Sequence, residues 1–246
     1  MREAFTVAFA GLNIGVESRY AFMRRFCRDY LADGEPCFSV RADEAAVKRQ
    51  SGLSEEPVTE EYAEALCLYR EMAERLPLYD RAVFHAAAIE YAGKAYLFTA
   101  PSGTGKSTHI RLWRELLGER VQIINGDKPI LHRTESGVVV CGTPYAGKEG
   151  WQTNCAAPLA GICFLRQGTK NSMVCINGQD AFLRLYAQTY RPRTEAAVRK
   201  SVELVRALSA FPCRELTCDI SEEAVGVSYE ALTGKRFRRL ENEDQS

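Results

Sequence analysis

Lys106, Ser107 and Thr108 follow directly on Ser102-Gly103-Thr104-Gly105, the residue types and spacing of an anion-binding loop. Glycines let consecutive backbone N–H groups curl around a charged group with no Cβ in the way. The Lys106 ammonium can reach the β- and γ-phosphates of a nucleotide, and the Ser107 hydroxyl can ligate Mg²⁺, with Thr108 beside it. One position departs from G-x-x-x-x-G-K-[ST]: Ala100 stands where the first glycine belongs. Alanine tolerates positive φ poorly, so the turn must use ordinary backbone angles or carry strain. Taken alone, the stretch would also read as a glycine-rich turn capping a helix, with Lys106 in solvent.

Three further groups could act on a phosphate. Asp127, in Asn125-Gly126-Asp127-Lys128, can hold Mg²⁺ or take a proton from an attacking hydroxyl; as a plain turn residue it would do neither. His85 offers an imidazole for proton transfer or phosphate contact. Lys148 and Glu149 lie in the glycine-punctuated stretch Gly142 to Gly150, where they are candidates for phosphate contact and for metal or base work, or are solvated charges.

These residues need elements to position them. Tyr96 to Thr99 is an apolar run that reads as a strand entering the loop. Ile110, Leu112, Trp113, Leu116 and Leu117 recur at helical spacing after it, which predicts strand, loop, helix. The helix beginning near Lys106 adds its positive dipole end to the anion site. Ahead of the strand, Val83–Tyr91 and Lys94–Ala100 are predicted to form a hairpin around Ala92-Gly93, although Ala does not suit the first position of a type I′ turn. Paired residues then sum to 185, which sets His85 opposite Ala100 at the mouth of the loop. Val121 to Ile124 predicts a strand next to the loop strand, ending at Asp127 in the place of a Walker-B-type carboxylate.

The rest of the chain reads as alternating strands and helices. A strand is predicted over 4–10, a helix over 18–30 on an aromatic stripe, a short strand over 37–40, a polar loop or short helix over 41–57, and a helix from Thr59 to Leu76. Strands are predicted at 138–141, 159–165, 173–176 and within 211–218. Helices are predicted at 180–190, from Thr194, and after Ser221. Arg191 and Arg193 flank a helix and could reach an anion. Residues 1–80 read as an N-terminal α/β portion, 81–235 as the core with the loop, and 236–246 as a frayed charged tail.

Composition narrows the function classes. Of 246 residues, 32 are Lys or Arg and 32 are Asp or Glu, so the net charge of zero argues against nucleic acid or a membrane surface as partner. No apolar run is long enough to span a bilayer, and the first residues, with Glu3, read as a strand and not as a signal peptide. The nine cysteines are scattered without zinc-finger spacing, which fits free thiols in a reducing cytoplasm.

On His85 in Phe84-His85-Ala86, the loop Ser102 to Ser107 and Gly126-Asp127, the chain resembles the C-terminal domain of HPr serine kinase/phosphorylase and its stand-alone homologues. That group shares a P-loop core with ATP-dependent phosphoenolpyruvate carboxykinases. The resemblance covers about residues 81–165. It implies a mixed α/β P-loop fold and a nucleotide held by Ser102, Gly103, Thr104, Gly105, Lys106, Ser107 and Thr108. It also implies Mg²⁺ on Ser107 and Asp127, with catalysis by Asp127, His85 and Lys106. Gly126 replaces the first aspartate of the kinase's acidic pair, and Cys141 to Pro144 replaces the region of its later glutamate. The expected function is therefore an ATP·Mg²⁺-dependent kinase acting on a hydroxyl, either a serine of a peptide or protein or a small hydroxylated metabolite. A nucleotide-binding regulator with slow or no turnover is the alternative, and the missing aspartate favours it. A carboxykinase-like enzyme has little room in this length. With no Asn-Lys-x-Asp motif, ATP is the expected nucleotide.

Overall fold

A computed structural model describes residues 2–52 and 58–239. The polar stretch at 53–57 and the tail at 240–246, part of the segment read as frayed, lie outside the described residues. In chain order the elements are β1 (Glu3–Phe9), β2 (Leu12–Ser18), α1 (Ala21–Phe26), β3 (Phe38–Arg41), α2 (Glu44–Gly52), α3 (Glu60–Arg75), β4 (Arg81–Val83), β5 (Ala87–Tyr91) and β6 (Lys94–Thr99). There follow α4 (Lys106–Leu117), β7 (Val121–Asn125), β8 (Ile130–Thr134), β9 (Gly137–Cys141), β10 (Ala156–Gln167), β11 (Ser172–Ile176), α5 (Gly178–Gln188), α6 (Glu195–Leu208), β12 (Cys213–Cys218) and α7 (Glu222–Thr233).

The fold is mixed α/β, with two sheets. β1, β2 and β3 form the smaller one. The larger runs β4-β8-β9-β10-β6-β5-β7, with β12 paired to β10 and β11 to β12. β6, β10 and β12 are parallel, so their C-terminal ends share one edge of the sheet. β5, antiparallel to β6, and β7, antiparallel to β5, extend it on one side.

Alternation along β6 explains why both faces of this sheet are covered. Ala95 and Leu97 point into one core with α5 and α6, including Leu185, Leu204, Val205 and Leu208. Tyr96 and Phe98 point into the other, against Ile110, Trp113, Leu116 and Leu117 of α4 and Val225 and Tyr229 of α7. Trp113 is fully buried. Each large apolar side chain so buried contributes about 1.5–3 kcal/mol. A third core joins β1, β2, α1 and α3 to Val83, Ile130 and Tyr145 of the larger sheet and its loops.

Two differences from the sequence reading stand out. The helix predicted over 18–30 is shorter: β2 occupies its first residue, α1 begins at Ala21, and a 3₁₀ turn follows at Arg28–Tyr30. β2 itself completes a hairpin on Ala10-Gly11, with both turn residues left-handed (φ 51° and 75°). The second difference is that β7 does not lie next to β6. β5 stands between them, paired to both. The hairpin strand that carries the register thus also carries the Asp127 strand. Ala100, for its part, is not among the non-glycine residues with positive φ, so the loop enters with ordinary backbone angles.

Candidate functional site

The hairpin of β5 and β6 has the predicted register. Pairs run from Tyr91↔Lys94 to Ala87↔Phe98, all summing to 185, on a turn in which Ala92 and Gly93 take φ of 52° and 76°. Ala does adopt the left-handed angle that a type I′ turn needs. The ladder ends at Ala87, however, and His85 is not paired with Ala100. β4 crosses instead to β8. His85 is held by its backbone: its N–H donates to Gln188 O at 2.9 Å, and its carbonyl accepts from Thr99 Oγ1 at 2.8 Å. The imidazole still arrives beside the loop, by a route that the register did not describe.

After β6 the chain passes through residues 100–105, where Gly103 (φ 78°) and Gly105 (φ 108°) are left-handed. Gly105 begins α4 with no side-chain cap, so the first-turn N–H groups are left to whatever lies beyond the helix end. Lys106 is 8% exposed, and its Nζ donates to Ala100 O at 2.9 Å. Burial lowers its pKa, opposed in part by the charge of Asp127.

Asp127 sits in a turn built for it. Asn125, fully buried, accepts with Oδ1 from the N–H groups of Asp127 (2.8 Å) and Lys128 (2.7 Å). Its Nδ2 donates to Thr143 O at 2.8 Å. A bulge in the β5–β7 ladder, between Ala88 and Ile89, precedes this turn; bulges of this kind re-aim the residues beyond them. Thr143 Oγ1 and the hydroxyl of Tyr69 on α3 both donate to Lys128 O, at 2.9 and 2.8 Å. The N-terminal portion therefore braces the turn.

The carboxylate has two cationic or donor neighbours. His85 Nε2 lies 3.2 Å from Asp127 Oδ1, and Lys128 Nζ pairs with Oδ2. A carboxylate only accepts, so Nε2 carries the proton. His85 Nδ1 lies 3.1 Å from Gln188 Oε1. Burial by itself would raise the Asp127 carboxyl, but the His85 hydrogen bond and the Lys128 ammonium outweigh it and hold the group well below the usual carboxylate range.

A cleft of about 390 Å³ brings the sequence-predicted residues together. Ser102, Gly103, Gly105, Lys106, Ser107 and Thr108 form one wall, with His85 and Asp127 on the other. Gly147, Lys148 and Glu149 stand at its exposed rim. Thr104 is the exception: it lines a second cavity across the loop, and its hydroxyl donates to Pro101 O. Arg193 is drawn away to Glu74, and neither it nor Arg191 lines the cleft.

Comparison with known proteins adds little to this geometry. No family model matches the chain, and no curated protein matches it. Among solved structures, the HPr(Ser) kinase/phosphatase from Coxiella burnetii aligns at 13% identity, over 38% of this chain and 72% of its own, with a TM-score of 0.28. A score of that size does not establish a shared fold.

The glycine at 126 has a local cause. A Cβ there would lie 2.6 Å from Ala146 O, so no side chain fits while the 142–153 loop keeps its place. Gly142 is under the same constraint: its Cβ would meet Thr153 O at 1.9 Å. The first aspartate of the pair, whose place Gly126 takes in the family resemblance, is therefore excluded by packing. Among the described residues, no group of three or more His, Cys, Asp or Glu is placed to hold a metal. Three residues of the cluster escaped the sequence reading: Asn125, Lys128 and Gln188. Neighbours such as Asp127 and Lys128 point apart on a strand and converge only in a turn. Gln188 lies 103 residues from its partner and carries no local signal.

Proposed function

We propose that the chain is an ATP·Mg²⁺-dependent phosphotransferase with a P-loop core, moving the γ-phosphoryl group to a hydroxyl on a peptide, a protein or a small metabolite. One observation carries this reading: His85 and Asp127, the latter paired with Lys128, face the glycine loop and the α4 N-terminus across a single cleft. Phosphoryl transfer asks the protein mainly for positioning and charge stabilisation, and the two walls divide that work.

The loop N–H groups, the helix end and Lys106 would hold the phosphates. Mg²⁺ is usually bound by one or two carboxylates together with substrate phosphates, and a site of one carboxylate and one hydroxyl fits that pattern. Ser107 and Asp127 would hold the ion, which would supply positive charge against the charge developing on the phosphoryl group. Asp127 is also the acceptor for the hydroxyl proton. Its carboxyl is held low, but a loose transition state acidifies the hydroxyl only as the new P–O bond forms, so a placed acceptor suffices. His85 donates through Nε2 to Asp127 and acts as a positioning residue, fixing the carboxylate between itself and Lys128.

The Asp127 carboxylate, pinned by two neighbours, also supports a second reading: a nucleotide-binding regulator that hydrolyses slowly. Incubation of the protein with γ-labelled ATP·Mg²⁺ and a panel of serine peptides and hydroxylated metabolites separates the two. Label on an acceptor supports the kinase. Label released only as phosphate, at one slow rate with every acceptor, supports the regulator.

A further inference from the structure

The loop has a second side. A cavity of about 370 Å³ shares Gly103, Gly105 and Thr108 with the cleft and opens away from His85 and Asp127. It lies at the C-terminal ends of β10 and β12, both parallel to β10's other partner β6 at that edge; ligands of open α/β sheets bind outside the carboxyl ends of their strands. Leu112 sits one turn, about 6 Å, along α4 from Thr108, on the same side of the helix. Leu165 and Ile220 supply further apolar wall, and Asp219 and Gln167 join Thr104, Thr108 and His109 as polar lining. Ile220 is 77% exposed, the most exposed large apolar side chain among the described residues. Such a side chain, beside an apolar recess and next to a polar loop, lacks a partner of the right shape.

We infer that this cavity seats the base of the nucleotide, resting on the reading that the loop binds a triphosphate. The reactive γ end must face Asp127, so the nucleoside end leaves the loop on the opposite side, past Thr108. Leu112, Leu165 and Ile220 then cover a flat aromatic ring. Asp219 Oδ1 already accepts from the Ser221 N–H and hydroxyl; its Oδ2, which only accepts, selects bases that present an N–H at that edge.

Calorimetric titration with ATP·Mg²⁺ and with tripolyphosphate·Mg²⁺, which has the phosphates and no base, tests this. The inference predicts that ATP binds tighter by a factor of about ten or more, the scale of burying part of a ring. It also predicts that Ile220→Glu, at an exposed position, lowers the ATP-to-tripolyphosphate affinity ratio, whereas Lys106→Ala weakens both ligands. Equal affinity for the two ligands in the wild-type protein, or a ratio untouched by Ile220→Glu, overturns the base pocket and leaves the phosphate site standing. Binding of neither ligand overturns both.

Discussion

Two histidines flank the same glycine loop and have opposite fates. His85 is half-exposed, with its side chain 35% accessible, and it meets an ionised carboxylate. His109, on α4, is 4% exposed and meets neutral groups: its Nε2 lies 3.0 Å from Ser228 Oγ and 3.2 Å from the donating Trp113 Nε1. Trp113 Nε1 also lies 3.0 Å from Ser228 Oγ, which donates to Val225 O. Burial pushes the His109 pKa down to about 4. A buried imidazole, bonded through Nε2, ties α4 to α7. An open one facing charge sits in a cleft with room for a substrate. Imidazole alone does not mark a site; the charge and access around it do.

Acid sharpens the contrast most. An unfolded chain protonates His109 near pH 6.5, but the folded protein resists until about pH 4. Its contribution is fully present above the unfolded value and is lost as pH falls from 6.5 to 4, by about 3 kcal/mol in all. Denaturant melts across that range should show the loss in wild type, and a folded His109→Gln variant should show a flatter curve. An identical slope in the variant would place the acid sensitivity elsewhere.

The next largest effect belongs to the open cluster. Asp127→Asn keeps shape but removes the charge. Phosphoryl transfer should fall about 100-fold or more while nucleotide binding survives, weakened. Near-normal turnover would pass the work to another carboxylate, Glu149 first.

Gly126→Ala tests whether packing, and not chemistry, demands the glycine. The added Cβ would displace the Ala146 carbonyl and should cost roughly 1–3 kcal/mol by overpacking. Stability equal to wild type would mean that the 142–153 loop yields freely.

The smallest effect is the exchange of His85 for Gln. It can still hydrogen-bond to Asp127, so fold and ATP affinity should hold and transfer should drop by only about tenfold. A loss as large as that of Asp127→Asn would make His85 a proton carrier and not a positioning residue.

The two hairpins show what the sequence could reveal. Ala10-Gly11 and Ala92-Gly93 are the same dipeptide in the same left-handed turn. The second was readable because apolar runs flank it on both sides. The first was missed: residues 12–17 carried no reading as a strand, and the helix read from Ser18 took the last residue of β2. Thr59 and Ser221 cap α3 and α7 as their positions imply, each accepting an N–H three residues on. The loop, Asp127 and His85 were visible as residue types, and their convergence was visible only in part. The register rightly oriented the hairpin but stopped two residues short of His85. The neighbour of β6 on the Asp127 side is set by β5 pairing both ways, and no local pattern encodes that choice. Asn125 reads as a turn former, yet its role depends on Thr143, 18 residues away.

Every proposed role in the cleft depends on the loop holding the phosphates of a nucleotide. Thermal melting with and without saturating ATP·Mg²⁺ tests it most directly, in wild type and in Lys106→Ala. Ligand present at about 100 times its dissociation constant stabilises a protein by about 2.7 kcal/mol. The wild-type midpoint should therefore rise by several degrees, and the variant should lose most of that rise. A shift of the same size in both proteins would show that ATP binds elsewhere, and no shift in wild type would contradict the account outright.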